Sequence, residues 1–310
     1  MTKNYPNLFI PGAAKSGTST LHEILNCHPN ICMSSVKEPF FWVNQNFSLY
    51  NQKNWDNYFN LFGEKKNVKY RGESTTSYML FSEFIERIKI LDTKKLKFIF
   101  ILRNPIDRIY SHYWYLKGLG SEDSDLRTAV LKDLNEEPKI TNRLPEGKYK
   151  HYFQYGLYGK WLTLFYNHFE SSQIKIVFFE DLLKDPNMVA NNCFEFLELK
   201  KLDHIPLIHS NKTVLLKFPK FHKKILKTTN QIKETLRPTY KYLPKSLKEY
   251  VKKINLSEII IKKTKSTQLI PEISIIDRVW LRDLYYDDFK LLKNLTHLNF
   301  DKWQDFKSLQ

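Results

Sequence analysis

The sequence predicts an α/β fold organised on a central, mainly parallel sheet. Three observations carry this. Leu96 to Leu102 (LKFIFIL) and Ile174 to Phe179 (IKIVFF) are nearly continuous apolar runs of strand length, the pattern of strands covered on both faces. A shorter run, Leu8-Phe9-Ile10, opens the chain in the same way. Each run leads into residues with helical spacing, and such alternation places helices between parallel strands.

Taken in order, the first strand is followed by a turn of small residues, Pro11 to Gly17, and then by a helix with Leu21, Ile24 and Leu25 on one face. Asn26 to Asn30 is a turn and Ile31-Cys32-Met33 a short strand. A helix is expected around Trp55 to Leu61 and a strand at Val68 to Glu73, running into the hydroxyl-rich Ser74 to Tyr78. Phe84, Ile85, Ile88 and Leu91 give the spacing of a helix over Phe81 to Leu91. Pro105, just past LKFIFIL, suits the first turn of a helix over Ile106 to Leu116. Residues 117–150 are charged and poorly periodic, the best candidate for a mobile loop. Helices follow at Tyr152 to Phe169 and Asn191 to Leu199, on either side of the IKIVFF strand.

Two segments carry chemistry. In NLFIPGAAKSGTSTLHEIL, Asn7 to Leu25, a strand, a loop containing glycine and lysine, and a helix opening on hydroxyl residues form an anion cradle. Free backbone N–H groups and the helix dipole both favour negative charge there. Gly12 and Gly17 have the spacing of a Walker A loop, yet Thr18 follows Gly17 and the lysine comes early, at Lys15. The loop therefore suits a phosphate or sulfate held differently from an NTPase. In FIFILRNPIDRIYSHY, Phe98 to Tyr113, Arg103 ends a strand, where open α/β sheets bind ligands. Ser111 lies about two turns into the next helix, so both can serve one anion. Arginine binds phosphate bidentately and a serine hydroxyl adds a donor. The alternative for Arg103 is an ion pair with Asp107. One cradle at each of two strand ends implies a ligand with two separated anionic groups.

Composition bounds the rest. The 310 residues, 42% hydrophobic, allow one substantial core or two small ones, and with no linker or repeat the expectation is a single domain over 1–310. Within it, 1–211 forms the α/β core and 212–310 a basic helical C-terminal portion. No stretch approaches the roughly 20 apolar residues needed to span a bilayer. Cys27, Cys32 and Cys193 lack metal-ligand spacing and read as free thiols in a reducing compartment. A cytoplasmic location and no bound metal are expected. The net charge is +16, and Lys212 to Lys265 holds 16 Lys plus Arg against Glu234, Glu249 and Glu258. Such a segment suits a polyanion, an anionic membrane surface in peripheral contact, or an acidic substrate, or is a solvated helical face.

Together the two segments resemble a known family, the sulfotransferases that use 3′-phosphoadenosine-5′-phosphosulfate (PAPS). FIPGAAKSGTSTLHEIL resembles their 5′-phosphosulfate loop and ILRNPIDRIYSHY their 3′-phosphate motif. GLYGKWLTLF, IKIVFFEDLLKDP and CFEFLEL are similar to the family's mid-region, and LRDLYYDDFKLLKNLTHLNFDKW to its C-terminal helix and closing tryptophan, Trp303. The resemblance implies a P-loop-like three-layer fold, PAPS as co-substrate, and transfer of its sulfuryl group to an acceptor hydroxyl. Lys15, Ser16, Gly17, Thr18 and Ser19, with Thr20 adjacent, would hold the 5′-phosphosulfate, and Arg103 and Ser111 the 3′-phosphate. Lys15 matches the lysine that stabilises the leaving bridging oxygen, a role a fixed cation suits.

Glu38, in KEPFF, falls where the branch that includes the heparan sulfate sulfotransferases carries its catalytic glutamate. Pairing with Lys37 or capping a helix is its structural alternative. His22, His28 and His112 are rival bases, with His28 expected to be structural and His22 on the outer face of its helix. That branch has a lysine where Ser74 stands here, which argues against a heavily sulfated acceptor and favours likeness to simpler bacterial members. Glu73, Thr75 and Tyr78 are candidates for the acceptor side. His209, Asn211, Lys217 and Lys220 stand where relatives close a loop over the nucleotide, and Lys217 and Lys220 are expected to bind it. Phe40, Phe41, Trp42 and Tyr155 either stack on ligands or pack in the core. The acceptor is expected to be a saccharide or glycolipid, and nucleic acid is not expected as a partner. A nucleotide kinase on the same fold and a non-catalytic polyanion-binding protein are the competing functions.

Overall fold

A computed structural model describes residues 5–63, 65, 67–144, 148–206 and 270–309. Five strands form one sheet: β1 (Leu8–Phe9), β2 (Ile31–Met33), β3 (Tyr70–Glu73), β4 (Lys97–Leu102) and β5 (Ile174–Phe178). Their order is β2-β3-β1-β4-β5, and every pairing is parallel. Leu8 lies beside Gly72 on one side and Lys97 on the other, so β1 is central.

The apolar runs are explained by two separate cores. Along β4, Phe98, Phe100 and Leu102 enter one cluster and Ile99 and Ile101 the other; Phe9 and its neighbours Leu8 and Ile10 divide likewise. Side chains of successive strand residues point to opposite faces, so a strand buried on both sides must be apolar throughout. Under one face lie α1 (Thr18–Asn26) and α8 (Pro186–Phe196), through Leu21, Ile24 and Leu25 and through Val189, Cys193 and Phe194. Over the other face lie α3 (Ser82–Ile88), α4 (Pro105–Gly118), α6 (Tyr158–Tyr166) and α9 (Ile275–Thr296). This is the expected three-layer α/β arrangement.

Local signals set the helix ends. α4 begins with Pro105 at its first turn, and the Asn104 side chain accepts from Ile106 N at 3.0 Å. α2 (Gln52–Phe59) starts on a reciprocal box between Asn51 and Asn54. α9 is capped by Ser274, whose Oγ accepts from Asp277 N at 3.0 Å. It packs on α6, where the Asp288 carboxylate accepts from Gly159 N at 2.9 Å and Lys160 N at 2.7 Å.

The expected loop over 117–150 is corrected in part, since it contains α5 (Leu126–Leu134). Its periodicity is weak because its inward face carries Asp133 among Ala129 and Val130. Asp133 is buried and accepts from Phe153 N at 2.6 Å and Gln154 N at 3.1 Å, so a carboxylate does structural work where an apolar residue is the usual signal. A short α7 (Phe179–Lys184) also follows β5 directly. The basic segment from Lys212 to Lys265 lies outside the described residues. Among those described, no helix is long and apolar enough to cross a membrane.

Candidate active site

The site lies at the carboxyl ends of the strands, where β1 is flanked by β3 and β4 and the chain's direction of winding reverses, the place ligands occupy in such sheets. The loop leaving β1 is pinned to the sheet: Ala13 N donates to Ile101 O at 2.9 Å and Ile101 N to Gly12 O at 3.0 Å. It then turns through two left-handed residues, Lys15 at φ 67° and Gly17 at φ 89°. Gly17 is the N-cap of α1, and no side chain caps that helix. The first-turn N–H groups, including those of Thr18, Ser19 and Thr20, thus have no intrahelical partner. A Cβ on Gly17 would meet the Phe179 ring at 2.8 Å. Ser16 is fully buried and its hydroxyl makes no hydrogen bond among the described residues. The loop has the open donors an anion requires.

Lys15 is half-buried, with its ammonium 4.0 Å from the centre of the Tyr115 ring and no carboxylate in ion-pair contact among the described residues. Its pKa is pulled down to about 8, first by loss of water around the amine, then by Lys148 and Arg103; Glu38 opposes. Arg103, at the end of β4, donates to the Lys15 carbonyl at 3.2 Å, and its guanidinium lies 4.8 Å from the Phe179 ring centre. The Tyr158 hydroxyl donates to the Arg103 carbonyl at 2.9 Å. The expected alternative for Arg103 is not what forms, because Asp107 pairs with Arg278 of α9. Arg278 also binds Asp305 at 2.6 Å, and Asp305 accepts from Asn104 at 2.7 Å, which ties the strand-end turn to the C-terminal helices. Ser111 is half-buried two turns into α4.

Glu38 follows β2, also in a left-handed conformation at φ 56°, and such backbone conformations in non-glycine residues gather at functional sites. Its backbone N donates to Ser74 O at 2.9 Å. Its Oε1 accepts from Thr76 Oγ1 at 2.8 Å and meets Lys37 Nζ at 3.2 Å; Oε2 meets Lys148 Nζ at 2.7 Å. Burial alone would raise its pKa, but Lys37, Lys148 and these hydrogen bonds outweigh it and hold the carboxyl at about 2. Glu38 therefore does pair with Lys37, and a second lysine besides.

Several expectations are corrected. Glu73 does not face an acceptor: it is fully buried, and Tyr58, Thr75 (3.0 Å) and Tyr78 (3.0 Å) donate to its carboxylate. Burial lifts its pKa to about 7 against those donors. His22 is not on an outer face; it is buried, with Nδ1 2.8 Å from Ser74 Oγ and Nε2 3.2 Å from Ser34 O. Burial, then Lys37, lowers its pKa to about 4. His28 is structural as expected, bridging Lys200 O at 3.0 Å and Asn30 N at 3.1 Å. His112 is buried, and desolvation holds it neutral well below the usual histidine range. Phe40, Phe41, Trp42 and Tyr155 are all core residues. His209, Asn211, Lys217 and Lys220 lie outside the described residues. One group among those described, Asp133, Glu136 and His151, brings possible metal donors within 4.8 Å, but Asp133 and His151 already bond each other at 3.1 Å.

Lys148 is the residue that sequence reasoning missed. It stands in the charged stretch before α6, where no local pattern distinguishes one lysine from another, and only the fold brings it to Glu38.

The family model for the sulfotransferase domain matches residues 5–265. Human carbohydrate sulfotransferase 15 is 22% identical over 269 residues, covering 69% of this chain and 46% of that protein. Human heparan sulfate glucosamine 3-O-sulfotransferase 3B1 is 26% identical over 212 residues, covering 68% of this chain and 51% of that protein. The chain thus spans about half the length of these curated relatives. The solved sulfotransferase from Alicyclobacillus acidocaldarius shares the fold, with a TM-score of 0.64 at 22% identity over 97% of this chain and 99% of that one. With its family model matched over most of its length and both anion-cradle segments at adjoining strand ends, the chain belongs to the sulfotransferase-domain family.

Proposed function

We propose that this protein transfers the sulfuryl group of PAPS to a hydroxyl of a saccharide or glycolipid acceptor. The observation that carries the proposal is the meeting of Lys15, Arg103 and Glu38 at neighbouring strand ends, with both cations lacking a carboxylate partner among the described residues. Ser16, Gly17, Thr18, Ser19 and Thr20 hold the 5′-phosphosulfate beside Lys15. Arg103 and Ser111 hold the 3′-phosphate, and Lys217 and Lys220 are assigned to the nucleotide on family resemblance alone. The acceptor oxygen attacks sulfur in line as the bond from sulfur to the bridging oxygen breaks. Lys15 stabilises the charge left on that oxygen, and Glu38 takes the acceptor's proton. The saccharide class is supported by the names of the carbohydrate and heparan sulfate relatives. Residues 1–310 act as one domain and the reaction runs in the cytoplasm, a reading supported by the free thiols of Cys27, Cys32 and Cys193.

The test is incubation with PAPS and a panel of saccharide and glycolipid acceptors, read by formation of 3′,5′-phosphoadenosine (PAP) and by acceptor mass. Failure to form PAP with any acceptor class sinks the proposal. Arg103→Ala is expected to raise KM for PAPS roughly 10- to 100-fold, the loss of charge-assisted hydrogen bonds, while kcat changes far less. Steady-state kinetics at saturating PAPS separates the two, and an equal fall in kcat would reassign Arg103 to the chemistry.

A further inference from the structure

Glu38 presents a difficulty for a proton acceptor, because neither oxygen is free. Oε1 is held by Thr76 and Lys37, and Oε2 by Lys148 at 2.7 Å. A proton must go to one of these oxygens, and a base so saturated with cations is weak. The three holders come from different elements: Lys37 from the strand exit after β2, Thr76 from the turn after β3, and Lys148 from the stretch before α6. Lys37 and Thr76 are near neighbours of Glu38 in the chain or the sheet. Lys148 is not, and its side chain remains about one-third exposed at 36%.

Lys148 also acts on the donor cradle. Its charge is the strongest of those depressing Lys15, ahead of Arg103 and Lys37, with Glu38 alone opposing. The Lys148 ammonium is thus in direct contact with the carboxylate, and its charge also acts on the lysine assigned to the leaving group. Three cations and one carboxylate act on the Lys15 amine, an excess of positive charge that favours an anionic ligand there.

Resting on the sulfotransferase reading, we propose that Lys148 is a positioning residue shared between Glu38 and the donor sulfonate, masking the base until PAPS is bound. In the free protein its ammonium sits on Oε2. When the phosphosulfate enters beside Lys15, the sulfonate draws Lys148 away, and Oε2 opens to the acceptor hydroxyl. The acceptor oxygen then bonds to sulfur, the bond from sulfur to the bridging oxygen breaks, the proton passes to Oε2, and PAP leaves carrying the negative charge. The base is exposed only when there is a group to transfer. The charged groups facing Glu38 in this scheme are Lys37, Lys148 and Lys15, with the Tyr155 phenol nearby.

PAP differs from PAPS only in lacking the sulfonate, so it provides the control. Calorimetric titration of Lys148→Met is expected to show PAPS affinity reduced roughly tenfold, the loss of one hydrogen bond to a charged group, with PAP affinity unchanged. Lys148→Arg restores the preference for PAPS. In the free protein, the Glu38 carboxyl followed by carbon NMR titrates near pH 2 in the wild type and moves upward in Lys148→Met, and the acid limb of kcat/KM moves up with it. Lys148→Gln, closer in shape and polarity, carries the same expectations should the methionine variant fold poorly. Equal loss of PAP and PAPS, or an unmoved Glu38 titration, overturns the assignment. A wild-type protein that binds neither PAP nor PAPS overturns the sulfotransferase reading itself.

Discussion

Lys15→Met is expected to lower kcat roughly 10²- to 10³-fold, the range for removing one preorganised donor at a developing charge. Lys15 is held in the left-handed region at φ 67°, against the Tyr115 ring and among like charges. A cation without an ion pair in that setting is already oriented for its ligand. Its depressed pKa gives the prediction a second readout. Near pH 8 the free protein has Lys15 about half protonated, whereas a bound 5′-phosphate favours the ammonium. PAP binding should therefore take up protons between about pH 8 and 9, seen as a binding heat that varies with the buffer's ionisation enthalpy. Lys15→Met should abolish that uptake.

The sign for stability follows from the same shift. The folded pKa, about 8, lies below the ordinary 10.5, so between those values the unfolded chain binds more protons and the group's penalty fades as pH rises. Replacing Lys15 with an apolar residue should then leave the Tm equal or higher while activity is lost, the signature of a site held at some expense of stability. Lys15→Met with unchanged kcat would remove Lys15 from the chemistry.

Glu38→Gln is the second large effect, a fall in kcat of roughly 10²- to 10⁴-fold for loss of a general base. The substitution preserves shape and leaves Thr76 a partner, while Lys37 and Lys148 lose theirs. Positive charge near the cradle is then less compensated, so PAPS binding should hold steady or tighten. A fall in kcat without a rise in KM for PAPS distinguishes this from collapse of the site. The rival histidines make the opposite prediction. His22 and His112 are buried and held neutral, and if either were the base, Glu38→Gln would keep most of its activity. Because the Glu38 carboxyl is held near 2, its ion pairs contribute stability above about pH 4.5 that disappears as pH falls toward 2. Glu38→Gln should flatten that part of the acid unfolding curve.

Much of the fold was legible in the sequence because its determinants are local or periodic. LKFIFIL reads as a doubly covered strand from composition, and its side chains do alternate between two cores. The start of α4 is written in Asn104 and Pro105. α5 was not legible, because the residue that ties it down is Asp133, a buried carboxylate in a polar pattern. The cradle was legible for the same local reason as α4: Gly17, Lys15 and the hydroxyl residues are contiguous. Family membership rather than geometry separates the sulfotransferase reading from the nucleotide-kinase one.

By itself the sequence determined the parallel α/β sheet, the anion cradle with its displaced lysine, and Arg103 at a second strand end. Each of these follows from residues within a few positions of one another. The tertiary structure alone decided which side chains share an environment. It buried Glu73 beneath three hydroxyls, turned His22 inward onto Ser74, gave Asp107 to Arg278, and brought Lys148 across 110 residues to Glu38. Charge and burial at a site depend on contacts between distant segments, and no local pattern in the chain encodes them.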